Sequence, residues 1–416
     1  MSYRNKFSLI LISTLFVFYA VVGGLLGRVT AKEGAYSQLS VFNEVLSKIR
    51  TSYVEEPNIS EVMHGALRGL LESLDPYSAF LTAEEYDRFR KHKTNGNGDV
   101  GLDLSKEKVL GYAYVVHPIE GCTAFRAGIK AGDVIESIEE VSTRDISLLQ
   151  TEALLTGPVG SSVKLKLLRR GRNEPLDLSL VREEERIPPV KATLLESKIG
   201  YLKVYRFTPG VSEEIRGKVL HLAKNGAVRF ILDLRNCGGD EYDEGIKVAN
   251  LFLDHGVIAY SQGQKSVKHE YVADPAKNVT RQPLAILQNY GSAAAAELVS
   301  AAIKENRRGE VVGVRSFGKA SLQKLFPVDN DSAVLLSVAK FYSQSGKVIQ
   351  DNGVVPDQEV KDGLEALKGD IETPEDDDSV DSAPGAEAKP ELQEDRQLKK
   401  AIEILTAPPA ERQKAA

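Results

Sequence analysis

The chain begins with a mostly apolar run, Phe7 to Gly27, which follows Arg4 and Lys6 and precedes the small residues Val29-Thr30-Ala31. About 20 such residues, at ~1.5 Å each in a helix, are long enough to cross a ~30 Å hydrocarbon layer. With positive charge in front, the run predicts an export segment, either a retained anchor or a cleaved signal. From Ser40 to Arg90 the apolar positions recur at helical spacing. Val41, Val45, Ile49 and Tyr53 form one stripe, and Val62, Ala66, Leu67, Leu70, Leu71 and Leu74 another. Two or three helices fit this stretch. Leu74-Asp75-Pro76-Tyr77-Ser78 breaks the periodicity, and Thr82 followed by Glu85 predicts a capping box that opens the next helix.

Lys93 to Gly98 has the composition of a loop, and the pattern behind it changes to short strands. Tyr112 to Val116 is one of these, and Ser147 to Leu155 is a helix in the same module. Pro188-Pro189 closes the module, because neither residue can donate to a ladder. Strands and helices then alternate: Ile199 to Tyr205 as strand, Val211 to Asn225 as helix, the apolar strand Val228 to Leu234, and a helix from Glu244 to Asp254. That order predicts a layered α/β domain built from crossover units. A further apolar strand ends on Asn289, where a small-residue helix begins. Gly291 to Ala296 carry little side-chain bulk, so backbone N–H groups at that helix start can approach a ligand and hold an oxyanion. After Lys361 the composition turns to Asp, Glu, Pro, Ser and Ala, which predicts disorder, and Gln393 to Leu405 can form one terminal helix.

Length and composition narrow the function. At 416 residues the chain has room for two or three domains. A formal charge of −6 gives no basic footprint for nucleic acid. Two cysteines and six histidines without CxxC, HExxH or HxxxH spacing suggest neither a disulfide framework nor a metal site, and no cofactor is implied.

The stretch from Asn289 to Gln323 resembles the carboxyl-terminal processing peptidases, also called tail-specific proteases. Their motif reads roughly Asn-x-Gly-Ser-Ala-Ser-Ala-Ser-Glu, followed by Phe-Gly-Lys-Gly-x-x-Gln. Here the matching residues are Asn289, Gly291, Ser292, Ala293, Ala294, Ala295, Ala296 and Glu297, then Phe317, Gly318, Lys319, Ala320 and Gln323. The likeness extends from about Val41 to Asp357, through Leu-Asp-Pro-x-Ser at Leu74 to Ser78, Asp233-Leu234-Arg235, and Gly346 to Gln350. Between about Gly98 and Glu183, Val100-Gly101-Leu102 and the run Ala127-Gly128-Ile129-Lys130-Ala131-Gly132-Asp133 resemble a PDZ domain. The resemblance implies a multidomain α/β protein: residues 1–35 a signal or anchor, 36–95 a helical lead-in, 96–186 a sandwich-like PDZ module, 187–360 a layered peptidase core, and 361–416 an acidic tail with a terminal helix. The apolar run behind Arg4 and Lys6 implies an exported, extracytoplasmic or periplasmic protein, held at the inner membrane by residues 7–27 if these are not removed. Its partners would be protein or peptide C-termini, with Val100, Gly101 and Leu102 as the carboxylate loop beside an exposed strand edge.

In the family a serine attacks the scissile carbonyl, a neutral lysine takes its proton and a glutamine orients the lysine. By motif position the last two are Lys319 and Gln323, and the oxyanion donors are Ala295 with Gly238 or Gly239. Acting as a base would require burial to lower the lysine pKa from its usual ~10.4 by ~2–3 units. The serine position, three residues before Glu297 and twenty-five before Lys319, is Ala294. The glycine turn also departs from the family, with two residues, Asn236 and Cys237, after Asp-Leu-Arg where three are common. Two residues could substitute as nucleophile. Ser292 lies two steps earlier, which on a helix is a different face, and Cys237 sits on the glycine turn. Two functions follow: a peptide-binding homologue without the chemistry, or an active serine endopeptidase that cuts exported proteins near their C-termini. If Lys319 is a ready base, Ala294→Ser should switch proteolysis on.

Overall fold

A computed structural model describes residues 33–92, 98–106, 110–184, 189–361 and 395–407. The apolar run Phe7 to Gly27 and the acidic stretch after Lys361 lie outside these residues. No helix among the described residues is long and apolar enough to cross a membrane.

The chain divides into two compact units, residues 1–66 and 67–416. The first holds helix α1 (Glu33–Ser52) and the start of α2 (Ile59–Glu72), where the Asn58 side chain accepts from the Ser60 N–H at 3.1 Å as an N-cap. The second unit begins within α2. Asp75 there organises the break after the helix, accepting from the Tyr77 and Ser78 amides at 2.8 Å each. Strand β1 (Ala79–Leu81) follows, then α3 (Ala83–His92), which opens with the expected box: the Thr82 N–H donates to Glu85 Oε2 at 2.8 Å and the Glu85 N–H to Thr82 Oγ1 at 3.4 Å.

The next module contains β2 (Leu102–Lys106), β3 (Ala113–Pro118), a single turn α4 (Thr123–Arg126), β4 (Val134–Ile138), β5 (Val141–Ser142), α5 (Leu148–Leu155), β6 (Ser162–Leu168) and β7 (Leu176–Val181). The strands form one antiparallel sheet in the order β2-β3-β4-β6-β7, with β5 on β4. Alternate residues such as Val163, Leu165 and Leu167 point inward to the core, as a two-residue period requires. Ser147 caps α5 with Gln150 in a complete capping box. Strand β2 ends the path of this sheet, and α5 packs beside it.

The core domain runs β8 (Val190–Leu195), β9 (Ile199–Val204), α6 (Val211–Lys224), β10 (Arg229–Asp233), α7 (Tyr242–Phe252), β11 (Val257–Gln262), β12 (His269–Val272), β13 (Leu284–Gln288), α8 (Ala295–Glu305), β14 (Glu310–Gly313), β15 (Ser321–Pro327), β16 (Ala333–Tyr342), β17 (Gln358–Glu359) and α9 (Arg396–Thr406). One sheet has the order β17-β14-β13-β10-β9-β8, parallel except for the β8–β9 pair. Its central strands are apolar along Phe230 to Leu232 and Leu284 to Leu287 because both faces are covered. Phe230, Leu232 and Ile286 face α6, α7 and α8, while Ile231, Ala285 and Leu287 face Ala401 and Leu405 of α9. The terminal helix therefore has a defined berth, pinned where Arg235 meets both Asp395 oxygens at 2.9 Å. A second, antiparallel sheet has the order β1-β16-β11-β12 with β15 on β16, so the short lead-in strand is built into the core domain. Nothing in the apolar periodicity predicted this sheet. The turn after β10 and the turn after β13 leave the same end of neighbouring parallel strands, where open α/β sheets place their ligands.

Candidate active site

Strand β13 ends at Gln288 and α8 starts only at Ala295, later than the small-residue run suggested. The turn between them is held by side chains. Asn289 Oδ1 accepts from the Asn236 and Gly291 amides at 2.9 and 3.0 Å, and its Nδ2 donates to Asn236 Oδ1 at 2.9 Å. Ser292 Oγ donates to the Leu234 carbonyl at 2.7 Å and accepts from the Asn289 N–H at 2.9 Å. That hydroxyl is buried and committed to the turn.

Ala294 is the N-cap of α8, 1% exposed, with φ 56° and ψ −119°. Such a conformation costs a non-glycine residue about 1–3 kcal/mol and persists only where its surroundings enforce it. A strained strand-to-helix turn of this kind is how some hydrolases lift a nucleophile above a sheet. Here the residue at the apex of the turn is an alanine, with no functional group.

The amides around it are all engaged. The Ala293 N–H donates to the Cys237 carbonyl at 2.9 Å, Ala294 to Glu297 Oε2 at 3.0 Å, Ala295 to the Gly239 carbonyl at 3.3 Å, and Ala296 to the Ala293 carbonyl at 3.2 Å. Ala295, the expected oxyanion donor, is thus turned onto the very loop that was to supply its partner. A carbonyl, not a second N–H, faces it.

Glu297 ties the site together. Its side chain is fully buried and accepts four hydrogen bonds: Ser316 Oγ at 2.5 Å and the Gly318 N–H at 2.7 Å on Oε1, the Ala294 and Lys319 amides at 3.0 and 2.8 Å on Oε2. Desolvation pushes its pKa up to about 7, against the pull of those donors. One carboxylate thereby fixes the Ala294 turn and the Lys319 loop to each other. In the sequence Glu297 is only a landmark, and the available signal was a lone glutamate three residues past Ala294 in a run of small residues.

The Lys319 side chain is 19% exposed. It does not meet Gln323, whose amide donates to Ser321 Oγ at 2.8 Å and Ser337 Oγ at 3.3 Å. Instead Nζ lies 3.0 Å from both oxygens of Asp240 and 5.3 Å from the centre of the Tyr77 ring. Burial alone would lower its pKa, but Asp240, with Tyr242, Glu152 and Tyr77 adding to it, raises it above the ordinary lysine value. The shift runs opposite to the one a base requires. Cys237 is fully buried and desolvation raises its pKa far above that of a free thiol, so it stays in the inert protonated form.

The PDZ-like module reaches this site through β2. Asp103 Oδ2 lies 3.1 Å from His117 Nε2, and a Cβ added at Gly238 would collide with that carboxylate. Although desolvation opposes it, the neighbouring His117 and Arg206 hold Asp103 below the usual carboxylate range. On the same module, Gly101 has φ +80°, and a Cβ there would overlap Cys122, so only glycine fits. Val100 is buried and Leu102 nearly so. The Gly101 N–H donates to Asp99 Oδ1 at 2.6 Å, so an incoming carboxylate has to replace that side chain. A cavity of about 420 Å³ opens beside this loop, lined by Arg126, Arg182 and Arg206 and equally by Asp99, Glu183 and Glu184.

Comparison with known proteins agrees with this layout. Residues 198–360 match the model of peptidase family S41 and residues 114–169 that of a PDZ domain. A carboxy-terminal-processing protease of Bartonella bacilliformis is 32% identical over 346 residues, covering 81% of this chain and 79% of the relative. The carboxy-terminal processing protease CtpA of Bacillus subtilis is 31% identical over 349 residues, covering 83% and 73%. Among solved structures, a photosystem II D1 C-terminal processing protease superposes with a TM-score of 0.66 at 26% identity, covering 77% of this chain and 92% of that one.

Proposed function

The chain belongs to the carboxyl-terminal processing proteases of peptidase family S41, and we propose that within this family it binds protein C-termini through its PDZ domain without cutting them. The observation that carries this reading is the turn at Ala294, which keeps a strained conformation suited to a nucleophile and presents a methyl group. Losing the nucleophile of such a catalytic unit removes roughly 10⁶ from kcat, and binding alone leaves only a small residue of that rate. The two substitutes lack support: Ser292 Oγ is tied to Leu234 and Asn289, and the Cys237 thiol is buried. An active endopeptidase therefore has no group here to start the reaction.

Binding needs none of those residues. The Val100-Gly101-Leu102 turn and the end strand β2 offer a terminal carboxylate an amide-bearing loop and an extended peptide a strand to join. Export is part of the same proposal and rests on Arg4, Lys6 and the run Phe7 to Gly27. A reporter fused after Gly34 should be active only outside the cytoplasm; activity inside would remove that part.

The functional reading is tested by incubating the protein with unstructured proteins that end in apolar residues, beside a serine-directed fluorophosphonate probe. Intact proteins and an unlabelled chain are expected. Cleavage, or labelling at Ser292 or Cys237, would restore the peptidase.

A further inference from the structure

Gly238 and Gly239 are followed directly by Asp240, a carboxylate at the mouth of the site. It is 54% exposed, yet both its oxygens stand 3.0 Å from the Nζ of Lys319, which arrives from the loop before β15. Two equal contacts make a bidentate ion pair with one partner mostly shielded from water, a setting less screened than that of two fully exposed charges. The other titratable groups facing the ammonium are Tyr242 from α7, Glu152 from α5 and Tyr77 from the loop before β1, with Asp103 of β2 farther off. All are acids, so each either favours the charged lysine or is neutral towards it.

We propose that Asp240 is a second block on catalysis, independent of Ala294: a positioning residue that holds the Lys319 ammonium in an ion pair and so removes it as a base. This rests on the family reading of Lys319 given above. The direction of the lysine's pKa agrees, since burial would lower it and the sign is reversed with Asp240 as the largest opposing cause. It follows that restoring the serine alone leaves the site silent. For a serine at 294 to react with a fluorophosphonate, its Oγ forms a bond to phosphorus, fluoride leaves with the P–F electrons, and the hydroxyl proton passes to a neutral Nζ. An ammonium paired to Asp240 has no lone pair to receive it.

The test uses the full chain in four forms: parent, Asp240→Asn, Ala294→Ser, and the double variant. Probe labelling of Ala294→Ser at pH 7.5 should stay close to the parent background, whereas the double variant should label at least about tenfold faster, with its rate rising through a lower pH midpoint. The second readout needs no serine. Competitive labelling of Lys319 by an amine-reactive reagent, followed across pH by mass spectrometry, should give Asp240→Asn a midpoint lower than the parent by about one unit or more. Equal Lys319 midpoints in the two forms would overturn the proposal, as would Ala294→Ser labelling as fast and with the same pH profile as the double variant. Fluorophosphonate labelling of the parent itself would instead overturn the non-cutting reading, leaving the lysine titration to decide the role of Asp240.

Discussion

At the scale of single residues, Glu297 and Gly101 carry the most consequence. Glu297→Ala would leave three buried amides and the Ser316 hydroxyl without their acceptor. Each uncompensated buried donor costs about 1–3 kcal/mol, and partial relaxation should bring the total to roughly 3–5 kcal/mol, read as a lower urea midpoint at unchanged slope. Gly101→Ala forces a side chain into a left-handed conformation and onto Cys122, so peptide affinity should fall by about tenfold or more and the thermal midpoint should fall with it, by the equivalent of about 1–3 kcal/mol. Asp99→Ala acts in the other direction. It frees the Gly101 N–H from its internal carboxylate, and calorimetry should find tighter binding of a free peptide C-terminus. Sequence motifs located these positions, because spacing alone puts Ala294 and Lys319 in register with the family. The partners were another matter. Asp240 is 79 residues from Lys319, and nothing local marks one aspartate among many as the one that meets it.

Among the elements, the helices and central strands were readable because burial imposes the period that reveals them. Val211–Lys224, Leu148–Leu155 and Ala83–His92 begin within a residue or two of where periodicity and caps put them. The start of α8 was not readable, since the N-cap Ala294 has no capping side chain, the Ser292 hydroxyl goes to the Leu234 carbonyl instead, and the backbone there is set by Asn236 and Cys237 from another turn and by Glu297. The berth of α9 was also hidden. Its amphipathic pattern says that it docks, while the site is defined by Arg235, Val360 and the far face of the sheet. Deleting the chain after Lys361 should therefore expose Ile231, Leu287 and Val312 and leave Arg235 without Asp395. A loss of about 2–4 kcal/mol is expected, measured as a drop in thermal midpoint.

On the scale of the whole molecule, buried charge couples stability to pH. Asp233 is fully buried, bonded to Tyr201 at 2.7 Å and flanked by Lys203 and Arg235. Despite the desolvation, Lys203 and Arg235 hold its carboxyl well below the usual range. The unfolded chain, with an aspartate pKa near ~3.9, binds more protons than the folded one below that pH. The stability that Asp233 contributes is thus complete above about pH 4 and is lost as pH falls towards the folded value. Acid unfolding monitored by circular dichroism should be less steep in Asp233→Asn, which should itself be less stable at pH 7 by ~3 kcal/mol because Lys203 loses its carboxylate and Arg235 keeps only that of Asp395.

On the proposed reading a recognition loop is separate from a core that does not cut. Residues 100–102 owe nothing to Ala294, Lys319 or the engaged amide of Ala295, so binding should survive where cleavage has gone. The most direct measurement titrates the protein with a peptide that ends in an apolar residue, once with a free carboxylate and once amidated, and then weighs the peptide recovered from the calorimeter cell. Carboxylate-dependent binding and a peptide of unchanged mass are the predicted result. Equal heats for the two peptides, or a shortened peptide in the cell, would contradict the account.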